Sequence, residues 1–329
     1  MRHIDIFNGD ADGIISLIQL RLNEPKDSIL VTGVKRDNQL MNDFEFKAAD
    51  QVTVLDISME KNQAGLKQAL DLGAQVEYFD HHRAGDIPQH DNLFAQIDTS
   101  ADMCTALLVD AKLKGKYRHW AIAAAYGDNL IAKANELAEA EGLNKEQRNQ
   151  LKELGVLVNY NGYGSSIEDL HFAPAELFNQ LRSYHSPFDV ITDPNSPFRE
   201  LKKAYEQDMS LAKSVSPHYQ SSSLKVVILP NSSWARRVSG VLGNELANSD
   251  PSRAHLILTK RNSDTSVVSL RSPISKKYGA GDICAKYDTG GGRESSAGIN
   301  NFPLASLNSL VSDIESFYCV KSLDQKTNI

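Results

Sequence analysis

Four clusters of side chains in the first 130 residues carry the chemistry this sequence could do. The densest is Asp80-His81-His82, which follows the strand-like run Val76-Glu77-Tyr78-Phe79 and so delivers one acid and two imidazoles to a strand end. All three are metal- or phosphate-seeking groups, and in an open α/β sheet the carboxyl ends of strands are where ligands sit. Asp10-Ala11-Asp12-Gly13 lies between the strand-like Ile4-Asp5-Ile6-Phe7 and a segment over 14–22 with apolar residues at helical spacing. One Asp there would serve as a helix cap. Two, with glycines on both sides allowing close approach of an ion, favour metal ligation. Asp56 ends the buried-type run Gln51-Val52-Thr53-Val54-Leu55. Asp128 follows Ala123-Ala124-Ala125-Tyr126-Gly127 in apolar context, where an unpaired carboxylate is costly; it needs a cation, a donor or water, unless it is a surface acid at a helix end.

The elements that must position these groups alternate. Strands are expected over 4–7, 28–33, 51–55 and 74–80, with helices over 14–22 and 60–72, the latter ending at the stop signal Gly73. This β-α-β rhythm predicts a parallel sheet with helices on its faces, and it puts Asp10, Asp12, Asp56, Asp80, His81 and His82 on one edge. Further helices are expected over 101–114, 119–130 and 143–158. The loop Asn159-Tyr160-Asn161-Gly162-Tyr163-Gly164 then offers tyrosines that could stack on a base, although such residues more often pack a loop. His119, His171, His185, His218 and His255 show no partner pattern and are read as structural.

The chain has 329 residues, enough for two domains. With 41% hydrophobic and 23% charged residues it falls in the soluble globular class. No apolar run approaches a membrane span and the amino terminus reads as a strand, so the expected compartment is the cytosol. Cys104, Cys284 and Cys319 are odd in number and far apart, which fits buried or idle thiols better than a disulfide frame or zinc site. The net charge of -7 is uneven. Residues 1–222 hold 22 Lys and Arg against 33 Asp and Glu, whereas 223–302 hold 11 against 6. An acidic half suits cations and a basic half suits an anionic substrate, although solvated surface charge alone would also produce the pattern.

Pro and Ser residues flank a charged helical stretch over 198–213, which suggests a connector. The domains are therefore drawn as 1–192, a connector over 193–222, and a smaller α/β domain over 223–329. In the second domain, strands are expected over 224–229, 255–259 and 265–270 and a helix over 238–247. Arg271 ends a strand, and Gly290-Gly291-Gly292-Arg293-Glu294-Ser295-Ser296-Ala297-Gly298 follows. Consecutive glycines let N–H groups wrap an anion, and two arginines add fork-like recognition of phosphate.

Taken in order over nearly the whole chain, Asp10-Ala11-Asp12-Gly13, Asp56, Asp80-His81-His82, Gly127-Asp128, Arg271 and the 290–298 run resemble the DHH phosphoesterase superfamily with a C-terminal DHH-associated domain. RecJ-type nucleases, nanoRNases and linear-dinucleotide phosphodiesterases belong there. The resemblance implies that Asp10, Asp12, Asp56, His81 and Asp128 hold two divalent cations, typically manganese, with magnesium as the other candidate. It implies that Asp80 positions the site, that His81 and His82 join it in catalysis, and that His82 contacts the scissile phosphate. Arg271, Gly290, Gly291, Gly292, Arg293, Ser295 and Ser296 would grip the substrate. Two positions depart from the pattern. Many relatives have a histidine shortly before the first Asp, where Asn8 here offers an oxygen ligand instead. The glycine run usually continues with histidine, where Arg293 stands.

The expected activity is hydrolysis of short 5'-phosphorylated oligoribonucleotides to mononucleotides by metal-activated water. A net acidic protein is poorly equipped for long duplex nucleic acid, so a linear dinucleotide such as pGpG is favoured, with Arg293 able to pair with guanine. Other readings are a phosphatase acting on pAp or polyphosphate, and a metal-free nucleotide-binding regulatory module.

Overall fold

In the computed structural model, which describes residues 2–318, the chain forms two compact units, Met1–Gln207 and Asp208–Ile329. The division falls inside the stretch over 193–222 set aside as a connector.

The first unit runs β1 (His3–Phe7), α1 (Ala11–Asn23), β2 (Ile29–Thr32), β3 (Gln51–Leu55), α2 (Gln63–Asp71), β4 (Gln75–Asp80), β5 (Leu93–Ile97), α3 (Thr105–Lys112), α4 (Arg118–Gly127), α5 (Ile131–Ala140), α6 (Lys145–Asn161), α7 (Pro174–Leu181) and α8 (Pro187–Thr192). Helix α9 (Pro197–Lys213) carries the chain into the second unit. Its sheet has the order β2-β1-β3-β4-β5 with every pairing parallel. The period-two alternation of strand side chains explains the layering. Ile4 and Ile6 of β1 join Val52, Val54, Val76 and Tyr78 against Leu66 and Ala69 of α2. Phe7, Leu55 and Phe79 pack on the opposite layer with α1, α3, α4 and α6. Helices thus cover both faces, as the sequence pattern predicts. On the α1 side, Asp5 is buried and accepts from Arg21 Nε at 2.8 Å and Ser28 Oγ at 2.6 Å.

Several expected boundaries move. The helix expected over 101–114 begins only at Thr105, and the one over 119–130 stops at Gly127, with Asn129 at φ 63 breaking it from α5. The expected stop at Gly73 is present, with φ 82. Helix α4 crosses α6 at a glycine contact: a Cβ on Gly155 would lie 1.9 Å from Ala123 O, and one on Gly127 would lie 2.7 Å from Gly155 O. This close approach sets the end of α4 and with it Asp128. Gly155→Ala is expected to cost about 1–3 kcal/mol through overpacking, read as a lower urea midpoint at unchanged slope.

The second unit contains β6 (Tyr219–Gln220), β7 (Leu224–Leu229), α10 (Ser233–Ser249), β8 (Ala254–Lys260), β9 (Thr265–Arg271), α11 (Ala280–Ala285), β10 (Gly290–Gly292), β11 (Ser296–Pro303) and α12 (Leu307–Tyr318). Its sheet, ordered β10-β11-β9-β8-β7-β6, is antiparallel except between β7 and β8. Leu256, Leu258, Val268 and Leu270 form its core with α11 and α12. Cys104 and Cys284 are buried, and Cys319 lies outside the described residues. No helix among the described residues is long and apolar enough to cross a membrane.

Candidate metal centre

Each acidic cluster of the first unit sits where the chain leaves a sheet strand or reaches a helix end. The turn after β1 holds Asp10 as the N-cap of α1, its Oδ1 accepting from the N–H groups of Asp12 at 3.0 Å and Gly13 at 3.2 Å. The glycines of this turn answer to chain packing: a Cβ on Gly9 would lie 1.9 Å from Gly33 O and one on Gly13 would lie 2.2 Å from Asn8 O. They do not serve mainly to admit an ion, as their sequence position suggests. Asn8 likewise holds the loop. Its Oδ1 accepts from Asp10 N at 3.2 Å and its Nδ2 donates to Lys35 O at 3.1 Å.

Asp12 reaches across to α3. Its Oδ2 accepts from Thr105 N at 2.8 Å and its Oδ1 from Ala106 N at 2.7 Å, so a carboxylate 93 residues earlier in the chain caps that helix. The local N-cap residue, Cys104, makes no side-chain cap. This explains why α3 starts later than its periodicity suggests: the positive end of the helix is placed against Asp12. Asp56 follows β3 in the left-handed region, φ 59, a conformation tolerated by Asp more than by most side chains. Thr105 Oγ1 donates to its Oδ1 at 3.3 Å.

His81 is buried, and its Nδ1 lies 2.9 Å from Met103 O. A carbonyl only accepts, so Nδ1 carries the proton, and in the neutral ring Nε2 keeps the lone pair. That atom lies 3.2 Å from Asp56 Oδ1 and 3.6 Å from Asp12 Oδ2. His82, about a third exposed, meets Asp80 Oδ1 through Nδ1 at 2.7 Å and lies 3.8 Å from Asp56 Oδ1. Ligand atoms of Asp56, His81 and His82 fall within 4.8 Å of one another. Asp80 Oδ2 is buried and has no hydrogen-bond partner among the described residues. Half-buried Asp128 caps the carboxyl end of α4, and its charge acts on Asp10, Asp12 and Lys35.

The electrostatics follow from this crowding. Burial first, then the charges of Asp12, Asp10 and Asp80, push the Asp56 carboxyl well above the usual carboxylate range. Burial raises Asp12 as well, against the pull of His81. Asp10 would follow, but Lys35 outweighs burial and its pKa falls. Lys35 pairs its Nζ with Asp10 Oδ2 and lies 3.3 Å from Asn159 Oδ1. Oxygen and imidazole donors, mutually repelling buried carboxylates and the orphaned Asp80 oxygen together fit a site for divalent cations such as manganese or magnesium.

Lys35 and the amides of Thr105 and Ala106 are absent from the sequence reading. Lys35 had one usable signal: it follows β2 as Asp10 follows β1, at the same edge of the sheet. The loop tyrosines pack. Tyr160 is fully buried with its hydroxyl 2.9 Å from His171 Nε2, and Tyr163 lies under Lys35. A base-stacking role is therefore not supported for Tyr160.

In the second unit, Arg271 is nearly buried against α10, donating from Nε to Asn244 Oδ1 at 2.8 Å and from Nη1 to Ser269 Oγ at 3.0 Å. The glycine run Gly290–Gly292 forms strand β10, where an anion-wrapping loop was expected. Gly292 adopts φ 144 and a Cβ on it would lie 2.5 Å from Ala297 Cα, so hairpin packing accounts for it, whereas a Cβ on Gly291 would meet nothing within 4 Å. Arg293 and Ser296 close the β10–β11 turn through their backbones, at 2.9 Å from Arg293 N to Ser296 O, and Ser295 O accepts from Ser272 N at 3.0 Å.

No protein-family model matches the chain, and no curated protein matches it. Solved structures do. A pGpG-specific phosphodiesterase, PggH from Vibrio cholerae, superposes with a TM-score of 0.58 at 16% identity, covering 96% of this chain and 99% of its own. An exonuclease RecJ bound to manganese gives 0.52 at 15%, covering 96% and 90%. RecJ from Thermus thermophilus, in complex with Mn2+, gives 0.55 at 14%, covering 96% of this chain and 52% of its own. What the chain shares with all three is the fold.

Proposed function

We propose that a chain with the fold of these phosphodiesterase and exonuclease structures is itself a metal-dependent phosphodiesterase, acting on short 5'-phosphorylated oligoribonucleotides. The observation that carries this reading is the His81 geometry: with Nδ1 tied to Met103 O, Nε2 converges with Asp12 and Asp56 carboxylate oxygens on one buried point. Such a convergence is poorly stable without a cation between the groups.

Asp12, Asp56 and His81 would hold one ion, with Asp10 and Asp128 serving a second. Bound ions lower the pKa of a water and offset charge on the phosphoryl oxygens. This chain's own groups supply the rest. Asp80 holds the His82 ring through Nδ1, which orients the imidazole and leaves its other nitrogen to meet the scissile phosphate. Burial of the acidic cluster strengthens every charge interaction made there. Arg271, Arg293, Ser295 and Ser296 are the second unit's groups for a substrate phosphate or base, in the part of the chain where Lys and Arg exceed Asp and Glu.

Linear dinucleotides such as pGpG fit best. The acidic balance of 1–222 disfavours long nucleic acid, whose binding scales with the number of Lys and Arg contacts to phosphate. Guanine preference rests on Arg293, which could pair with guanine O6 and N7. The test is product analysis with manganese and pGpG, pApA, a longer RNA or pAp, beside a His81→Ala variant. Mononucleotides from dinucleotides, lost in the variant, are expected. Equal turnover of pApA and pGpG would remove the guanine preference, and inert dinucleotides with phosphate released from pAp would overturn the phosphodiesterase reading.

A further inference from the structure

The two ends of the acidic centre are not equivalent. Asp12 accepts from the neutral backbone N–H groups of Thr105 and Ala106, which stabilise its charge without cancelling it. Asp10 is paired through Oδ2 with an ammonium, while its Oδ1 accepts from two backbone N–H groups. That ammonium is built into the site. Lys35 N donates to Gly162 O at 2.8 Å and its carbonyl accepts from Asn8 Nδ2 at 3.1 Å, so the backbone on both sides of its side chain is anchored. Its Nζ also lies 3.3 Å from Asn159 Oδ1 and 5.4 Å from the centre of the Tyr163 ring. Asn8, which the sequence offers as a ligand, instead helps to place this cation.

We infer that Lys35 is a built-in competitor for the metal: it holds Asp10, so that the ion served by Asp10 and Asp128 binds second and more weakly than the ion served by Asp12, Asp56 and His81. This rests on the reading of the centre as a two-cation site. A dication meeting Asp10 must displace the ammonium or share a carboxylate with it, and like charges a few ångströms apart in a buried site repel strongly. Neither penalty applies beside His81. The consequence is a centre whose occupancy by the second ion, and hence full assembly, depends on the free metal concentration.

The test is calorimetric titration of the full chain with MnCl2, with free Mn2+ counted in parallel by its electron paramagnetic resonance signal. Wild-type protein is expected to bind one ion tightly and a second at least about tenfold more weakly. Lys35→Met is expected to tighten the second site at least about tenfold and leave the first unchanged, whereas Lys35→Arg, which keeps the charge, preserves the weak site. Lys35→Gln serves if the Met variant does not fold, with the same expectation. Two equal sites in the wild type, or a second site unchanged or weakened in the Met and Gln variants, would overturn the inference alone. Failure of the wild type to bind any manganese would instead sink the metal-dependent reading itself.

Discussion

Asn in place of Asp56 is expected to raise the melting temperature of the metal-free protein while abolishing both its stabilisation by manganese and its catalysis. Asp56 is buried among Asp12, Asp10 and Asp80, all of which push its pKa up after burial itself. Neutralising it relieves that repulsion, and Asn accepts the left-handed backbone at φ 59 as readily as Asp. Active sites commonly hold such destabilising groups, and relieving one adds about 0.5–2 kcal/mol, or a rise of roughly 2–8 °C for a unit of this size. The function is lost with it. A ligand that binds only the folded state contributes about 2.7 kcal/mol at a hundred times its Kd, and the variant should forfeit this together with roughly a thousandfold or more in rate. Thermal melts with and without manganese, beside an activity assay, decide it; a lower melting point in the metal-free variant would mean that Asp56 supports the fold. The pH dependence carries the same sign. A carboxyl whose folded pKa is raised binds more protons when folded, so it stabilises the metal-free protein in acid and that contribution is lost as pH rises through the folded pKa. The variant should lack this slope.

Asp12→Ala should behave in the opposite way. Both carboxylate oxygens of Asp12 accept buried N–H groups at the start of α3, so the variant loses an oxygen donor of the proposed metal site and orphans two N–H donors. Each orphaned donor costs about 1–3 kcal/mol, giving a drop on the order of 3 kcal/mol and about 6–12 °C in melting temperature. Asp12→Asn keeps one acceptor and should fall less, while losing manganese stabilisation as completely. Circular dichroism melts of metal-free protein check the ordering Asp56→Asn above wild type, then Asp12→Asn, then Asp12→Ala. If Asp12→Ala melted like the wild type, Asp12 would not be the cap of α3.

These opposite outcomes separate residues that look alike in the sequence. Asp12 and Asp56 are both acids at expected loop positions. Only the packing of α3 against the β1–α1 turn makes one of them a cap as well as a candidate ligand. The same distinction applies at Asn8 and Lys35. Asn8 stands where relatives have a histidine and invites reading as a ligand, yet its amide bridges Asp10 N and Lys35 O. Lys35 lies in the stretch between β2 and β3 that has no clear periodicity, so nothing local marks it. Its importance comes from Asp10 and Asn159, 25 residues before it and 124 after it.

Strands β5, β6, β10 and β11, and helices α5, α7, α8, α11 and α12, also escaped the pattern. β10 is three glycines, and α8 and α11 are six residues each, too short for periodicity to register. Helix α5 was hidden because helical spacing resumes at Leu130 and Ile131, so that the break at the left-handed Asn129 leaves little trace in the periodicity.

By itself, the sequence determined what depends on local period and on side-chain type: the parallel β-α-β unit with helices on both faces, the edge on which Asp10, Asp12, Asp56, Asp80, His81 and His82 gather, and oxygen and imidazole donors suited to a divalent cation. Strand alternation and helical spacing are written within a few residues, so they can be read without the fold. The tertiary structure alone decided which carboxylate caps α3, which cation neutralises Asp10, and that the glycines of the β1–α1 turn and Gly290 and Gly292 of β10 answer to packing. Those outcomes depend on contacts between residues tens to more than a hundred positions apart, and such contacts leave no periodic trace in the chain.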